Sequence, residues 1–133
     1  MSDAVARLAA VIATLRAVSL DCDDPPALME FYRRLMGGEV VFATDDFAAL
    51  QGSGPVWLTA QRVADHLPST WPGGDTPKQA HLEFAVAELE TSVAEAVAAG
   101  ARLADTQPSP ERWQVLLDPA GHPFCLTTMI SPS

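Results

Sequence analysis

The sequence predicts an α+β fold made of two βαβββ modules whose paired, curved mixed sheets enclose a cleft. Three observations carry this. Residues 15–61 read as a rough copy of residues 79–129; each copy opens and closes on strand-like alternation; and in each an amphipathic helical stretch ending in glycine follows the opening strand. Neither copy can bury its own sheet face alone, so the two must pack together. The division is module one at 15–61, a linker at 62–78 and module two at 79–130, within a single domain spanning 1–133.

In chain order, the apolar stretch over 3–15 is broken by Arg7 and opens on an acid, so it predicts a short N-terminal amphipathic helix rather than a signal peptide. Ser2 or Asp3 would cap it, and Val5, Leu8, Ala9 and Ile12 form its apolar face. The run 15–22 splits into Val18, Leu20 and Cys22 against Ala17, Ser19 and Asp21, the signature of a half-buried strand. A helix over 26–38 presents Leu28, Phe31, Tyr32 and Leu35 at helical spacing and stops at Gly37 and Gly38. The closing strand at 54–61 sets Val56 and Leu58 against Trp57, Thr59 and Gln61. Three prolines and two glycines between Arg62 and Lys78 make that stretch a linker. Its Trp71 either packs for burial or covers a ligand.

Module two repeats the order. Leu82, Phe84 and Val86 oppose Gln79, His81 and Glu83; a helix over 88–101 carries Leu89, Val93, Ala96 and Val97 and ends at Gly100. Residues 113–124 read as strand, turn and strand around the turn formers of 118–123. In the last strand Phe124 and Leu126 oppose Cys125, Thr127 and Met129. Aligning 54–61 with 122–129 matches Pro55 with Pro123, Leu58 with Leu126 and Thr59 with Thr127. The greasy faces have helices to cover them, which leaves the mixed faces to line a cavity.

A chain of 133 residues with 17 acidic and 8 basic side chains has a formal charge of −9, which repels phosphate backbones and anionic lipids. Nucleic acid and membrane surfaces are therefore not expected partners. Cys22 and Cys125 fall in different modules without metal-type spacing, which predicts free thiols in a reducing, cytoplasmic setting.

The acidic turn and helix at 23–38, the HLEFAV strand with the helix after it, and the closing DPAGHPFCL together resemble the vicinal oxygen chelate superfamily of glyoxalases, bleomycin-resistance proteins and extradiol dioxygenases. The match is narrower to its small glyoxalase-like domains. The resemblance implies a cleft between paired modules and a homodimer. In metal-using members it also implies a divalent ion held by the first and last strands of each module. The repeat alignment carries those positions onto Ala17, Trp57, His81 and Cys125. Alanine and tryptophan donate nothing, and two donors make a weak site unless Glu83 or Asp21 joins them. No metal and no cofactor are therefore expected.

The expected ligand-binding residues are Ser19, Trp57, Thr59, His81, Glu83, Cys125 and Thr127, all on the mixed faces. Trp57 replaces a ligand with a flat stacking surface, and His81 is read as a hydrogen-bonding residue of the cavity. Cys125 has no obvious neighbouring cation to activate it, and His66 and His122 are assigned no chemistry. The expected function is binding of a small organic molecule, aromatic ones included, without metal catalysis; the alternative is a metal-dependent lyase, isomerase or dioxygenase, for which no catalytic residue is identified.

Overall fold

Asp24 caps the first helix: its carboxylate accepts a 3.1 Å hydrogen bond from the Ala27 amide, and prolines occupy the first turn, where no amide is needed. The computed structural model describes residues 11–133. The expected N-terminal helix lies largely outside the described residues, and residues 11–16 are not helical.

Module one comprises β1 (Ala17–Cys22), α1 (Pro25–Met36), β2 (Glu39–Ala43), β3 (Phe47–Gln51) and β4 (Trp57–Arg62). Module two comprises β5 (Leu82–Ala85), α2 (Leu89–Ala99), β6 (Arg102–Leu103), β7 (Trp113–Leu117) and β8 (Pro123–Thr127). The sheets have the same plan, β1-β4-β3-β2 and β5-β8-β7-β6. In each, the first strand runs parallel to the last and the others pair antiparallel, so both sheets are mixed. Two βαβββ modules are thus present, with β1 and β5 as sheet edges.

Gly37 at φ 79° ends α1, its amide donating to the Arg33 carbonyl at 2.8 Å. Gly38 follows at φ 93°, and a Cβ there would lie 2.3 Å from the Gln51 carbonyl oxygen, so only glycine lets β2 start against β3.

The helix-facing side chains of both sheets meet in one core. Leu28, Met29, Phe31 and Tyr32 of α1 are buried, together with Leu50 and Leu58 of sheet one and Leu116, Phe124 and Leu126 of sheet two. Four aromatic rings join the modules. Phe31 lies 5.9 Å from Phe124, Tyr32 lies 6.0 Å from Phe84, and Phe84 meets Phe124 edge-on at 5.8 Å. Side chains of this size contribute roughly 1.5–3 kcal/mol each by leaving water. The second helix sits more shallowly: Ala96 is its one buried residue, Leu89 and Val93 are half-buried, and Val97 is exposed rather than packed.

The sheet register corrects the repeat alignment. Ala17 pairs with Trp57, whereas Cys125 pairs with Glu83, and the span between paired residues is two longer in module two. If Ala17 corresponds to His81, then Trp57 corresponds to Pro123; matching Trp57 to Cys125 places Ala17 on Glu83. A shift of two residues keeps each side chain on its face, so the division into greasy and mixed faces survives.

The linker is tied down rather than free. The His66 Nε2 pairs with the Ala120 carbonyl at 2.8 Å, and the His122 Nε2 pairs with the Asp21 carbonyl at 2.6 Å. The two histidines given no chemistry thus stitch the linker to the β7–β8 turn and that turn to β1.

Candidate functional site

Strand alternation builds a cavity on the outer face of sheet two that gathers an imidazole, a carboxylate, a thiol and an ammonium group. His81 immediately precedes β5 and Glu83 lies two residues along, so both project from the face opposite Leu82 and Phe84. Parallel pairing sets Cys125 beside Glu83, and antiparallel pairing sets Val115 beside Cys125. Trp113, two residues before Val115, shares that face. Trp71 and Lys78 of the linker complete the wall, with Pro108 and Pro123, around a volume of about 300 Å³.

Trp71 is the linker residue that closes the cavity. Its indole N–H donates to the Thr106 carbonyl at 3.1 Å, and its ring packs against the buried cluster of Ala104, Val115 and Cys125. The Lys78 ammonium lies over that ring, 4.3 Å from its centroid, in cation–π contact. The loop before β7 is held by Gln107, whose amide donates to the Ala104 and Val115 carbonyls and whose oxygen accepts from the Val115 amide at 2.8 Å. One side chain thereby replaces missing strand pairing beside the short β6.

His81 Nε2 lies 3.9 Å from Glu83 Oε1, and ligating atoms of His81, Glu83 and Cys125 all fall within 4.8 Å of one another. Burial pushes the Cys125 thiol pKa up, the Glu83 charge pushes it further, and Lys78 pulls it partly back. The balance favours the thiol over the thiolate.

Of the seven expected ligand-binding residues, this cavity unites three: His81, Glu83 and Cys125. Thr127 shares their face but is buried, its hydroxyl accepting from the Met129 amide at 3.0 Å. Trp57 and Thr59 are half-buried on the outer face of sheet one, and Ser19 on β1 is exposed. Ser19 lines a different cavity, of about 500 Å³, with Asp21, His66 and His122. Among the described residues no one cavity gathers all seven: the greasy faces of both sheets meet in the core around the α1 rings, and the mixed-face residues that line a cavity divide between two. Lys78 and Trp113 were not singled out by sequence. The signal for Trp113 was its alternation with Val115 in a strand hairpinned to Cys125; Lys78, in a proline-rich linker, had none.

The residues 17–127 match the family model described as a glyoxalase-like domain. The chain belongs to that family, and with it to the vicinal oxygen chelate superfamily. No curated protein sequence matches the chain. Among solved structures it is similar to a glyoxalase/bleomycin resistance protein/dioxygenase family enzyme from Burkholderia phytofirmans, at 22% identity and TM-score 0.66 over 86% of this chain and 97% of that one. It is similar to a fosfomycin resistance protein from Listeria monocytogenes complexed with Mn(II) and a dihydroxypropylphosphonic acid, at 16% identity and TM-score 0.67 over 89% and 91%. The bleomycin-binding protein of Streptomyces verticillus, complexed with copper(II)-bleomycin, is similar at 20% identity and TM-score 0.58 over 88% and 97%. At these identities the likeness shows the fold.

The superfamily's metal positions can be tested on this glyoxalase-like domain. With Ala17 matched to His81, the sheet register sets Thr59 rather than Trp57 at the position of Cys125; alanine has no donor atom, threonine offers only a neutral hydroxyl, and both lie on sheet one, outside this cavity. A centre drawing ligands from both modules does not fit these residues. Glu83, at none of those positions, brings the donors on sheet two to three.

Proposed function

We propose that this glyoxalase-like domain binds a small organic molecule with a planar, aromatic portion in the cavity of sheet two. The observation that supports this best is the pairing of two indoles, Trp71 and Trp113, with the His81–Glu83 polar pair on the wall of one cavity. Ligand sites are concave, largely apolar and furnished with a few convergent polar groups. The rings offer stacking area, Lys78 offers a cation to an acidic substituent, and His81 with Glu83 offers a donor and an acceptor. Binding of this kind does not call on the superfamily's two-module metal centre.

A second copy of the chain is part of this reading. The outer face of sheet one carries Phe42, Phe47 and Trp57, with Phe42 52% exposed and its ring 6.0 Å from Phe47. Within one chain that face cannot reach the cavity, so a homodimer would be needed to bring Trp57 and Thr59 over His81. Cys22 and Cys125 are both free, in keeping with a reducing cytoplasm, and no helix among the described residues is long and apolar enough to cross a membrane.

Titration of intrinsic fluorescence with a series of planar aromatic acids, of a bleomycin-type drug and of their non-aromatic analogues tests the proposal. Saturable quenching by the planar compounds is the expected result, and equal or absent response across the series would refute it. The alternative, a metal-dependent lyase, isomerase or dioxygenase, is favoured by one observation, the mutual proximity of His81, Glu83 and Cys125.

A further inference from the structure

We propose that a second cavity, of about 400 Å³ between the two helices, binds a free α-amino acid with a large apolar side chain. This goes beyond the organic-ligand reading and does not depend on it. Phe84 and Leu126 line this cavity, whereas Glu83 and Cys125, their neighbours on β5 and β8, line the other, so the two sites lie on opposite faces of sheet two.

The cavity exists because α2 lacks the large side chains of α1. Counted from the N-caps Asp24 and Glu88, the residues Ser92, Glu95 and Ala96 stand at the positions of Leu28, Phe31 and Tyr32, which are buried in module one. All three α2 residues line the cavity instead of filling it. A hydroxyl, a carboxylate and a methyl group thus replace an isobutyl chain and two rings, and part of the apolar face of sheet two is left open beside polar groups, which is the usual make-up of a ligand site.

The lining is complementary to an amphiphilic zwitterion. Phe84, Leu126 and Leu35 supply an apolar floor, and Arg34 and Glu95 supply opposite charges. Arg34 has capacity to spare: Glu30 pairs bidentately with Arg33, at 2.6 and 2.8 Å, and meets Arg34 only at 3.5 Å. Among the described residues Glu95 forms no salt bridge. A ligand carrying a carboxylate alone would satisfy Arg34 but be repelled by Glu95. An ammonium group on the same ligand removes that repulsion, and the Ser92 hydroxyl can donate to the carboxylate.

The test is calorimetric titration of the full chain with L-leucine, 4-methylpentanoate, 3-methylbutylamine and glycine, none of which has a ring to stack on Trp71. The expected result is one L-leucine per chain, binding about tenfold weaker for the two singly charged analogues, and no detectable binding of glycine. Arg34→Gln should weaken L-leucine and 4-methylpentanoate about tenfold without weakening 3-methylbutylamine, and Glu95→Gln should weaken L-leucine and 3-methylbutylamine without weakening 4-methylpentanoate. Ser92→Leu fills the cavity and should abolish L-leucine binding while circular dichroism stays native. No L-leucine binding by the wild-type chain, or undiminished binding by both charge variants, overturns the proposal. Loss of L-leucine binding in a folded Trp71→Ala variant also overturns it, by placing the ligand on the other face of the sheet. Titration with planar aromatic acids reads the organic-ligand proposal separately, so the two can fail independently.

Discussion

The Tyr32 hydroxyl donates a 2.6 Å hydrogen bond to Asp118 Oδ2 across 86 residues of sequence, and both side chains are buried. Asp118 Oδ1 meanwhile accepts from the amides of Ala120 and His122, at 2.9 and 3.0 Å. One carboxylate therefore shapes the β7–β8 turn and anchors α1 of the other module. Replacing Tyr32 with Phe keeps the ring but strips Oδ2 of its partner inside the core. Loss of about 1–3 kcal/mol in chemical denaturation is expected. An unchanged midpoint would show that the contact adds nothing to module association.

Tyr32 is also the sole tyrosine, so its ionisation can be followed by absorbance alone. Burial, then the Asp118 charge and the hydrogen bond, hold its pKa well above the ordinary phenol value of 10. A folded-state pKa above the unfolded one gives stability that is complete below about pH 10 and lost as pH rises further. Tyrosinate should appear together with the loss of helical circular dichroism, not before it. A phenolate titrating near pH 10 in folded protein would contradict the buried pairing.

Both thiols should be slow to alkylate in the native state. Burial pushes Cys22 up to about 11 from an ordinary 9.0, with Asp24, Asp118 and Asp23 charges adding to the rise and the Asp24 backbone opposing it. Cys125 is raised in the same direction. The Cys22 contribution to stability is therefore present below about pH 9 and declines toward about pH 11. Counting alkylated sulfurs by mass at neutral pH, with and without denaturant, checks this: both should react readily only on unfolding.

Gly121 adopts φ 86°, and a Cβ there would lie 2.3 Å from the Pro68 Cβ. Gly121→Ala combines backbone strain with a clash against the linker, and a loss of about 1–3 kcal/mol is expected. Faster proteolysis within 62–78 in this variant would locate the damage at the linker contact; native-like resistance there would argue that the linker is not held by the turn.

The fold was legible because its signals are local. Period-two alternation and the glycine stops each depend on a few neighbouring residues, and strand period put His81, Glu83 and Cys125 on the mixed sides of their strands. What the sequence could not reveal depends on how the modules meet. The α1 rings fill the space between the sheets, Trp57 and Ser19 stand outside the cavity that holds His81, and no pattern in either module encodes that. The two-residue register difference was equally hidden, since Leu58 matches Leu126 by identity while the strands pair differently. Trp71 was ambiguous for the same reason: a linker side chain takes its meaning from the surface it lands on.

The affinity of Trp71→Ala and Trp57→Ala for one planar aromatic acid, measured by fluorescence and calorimetry, tests the cavity assignment most directly. Trp71→Ala should weaken binding by about 1–3 kcal/mol, the contribution of one stacked, buried ring, and Trp57→Ala should weaken it only where a dimer brings the partner's sheet over the cavity. Wild-type affinity in a folded Trp71→Ala variant, for a ligand that displays one-to-one binding, would contradict the account and remove the cavity of sheet two as the ligand site.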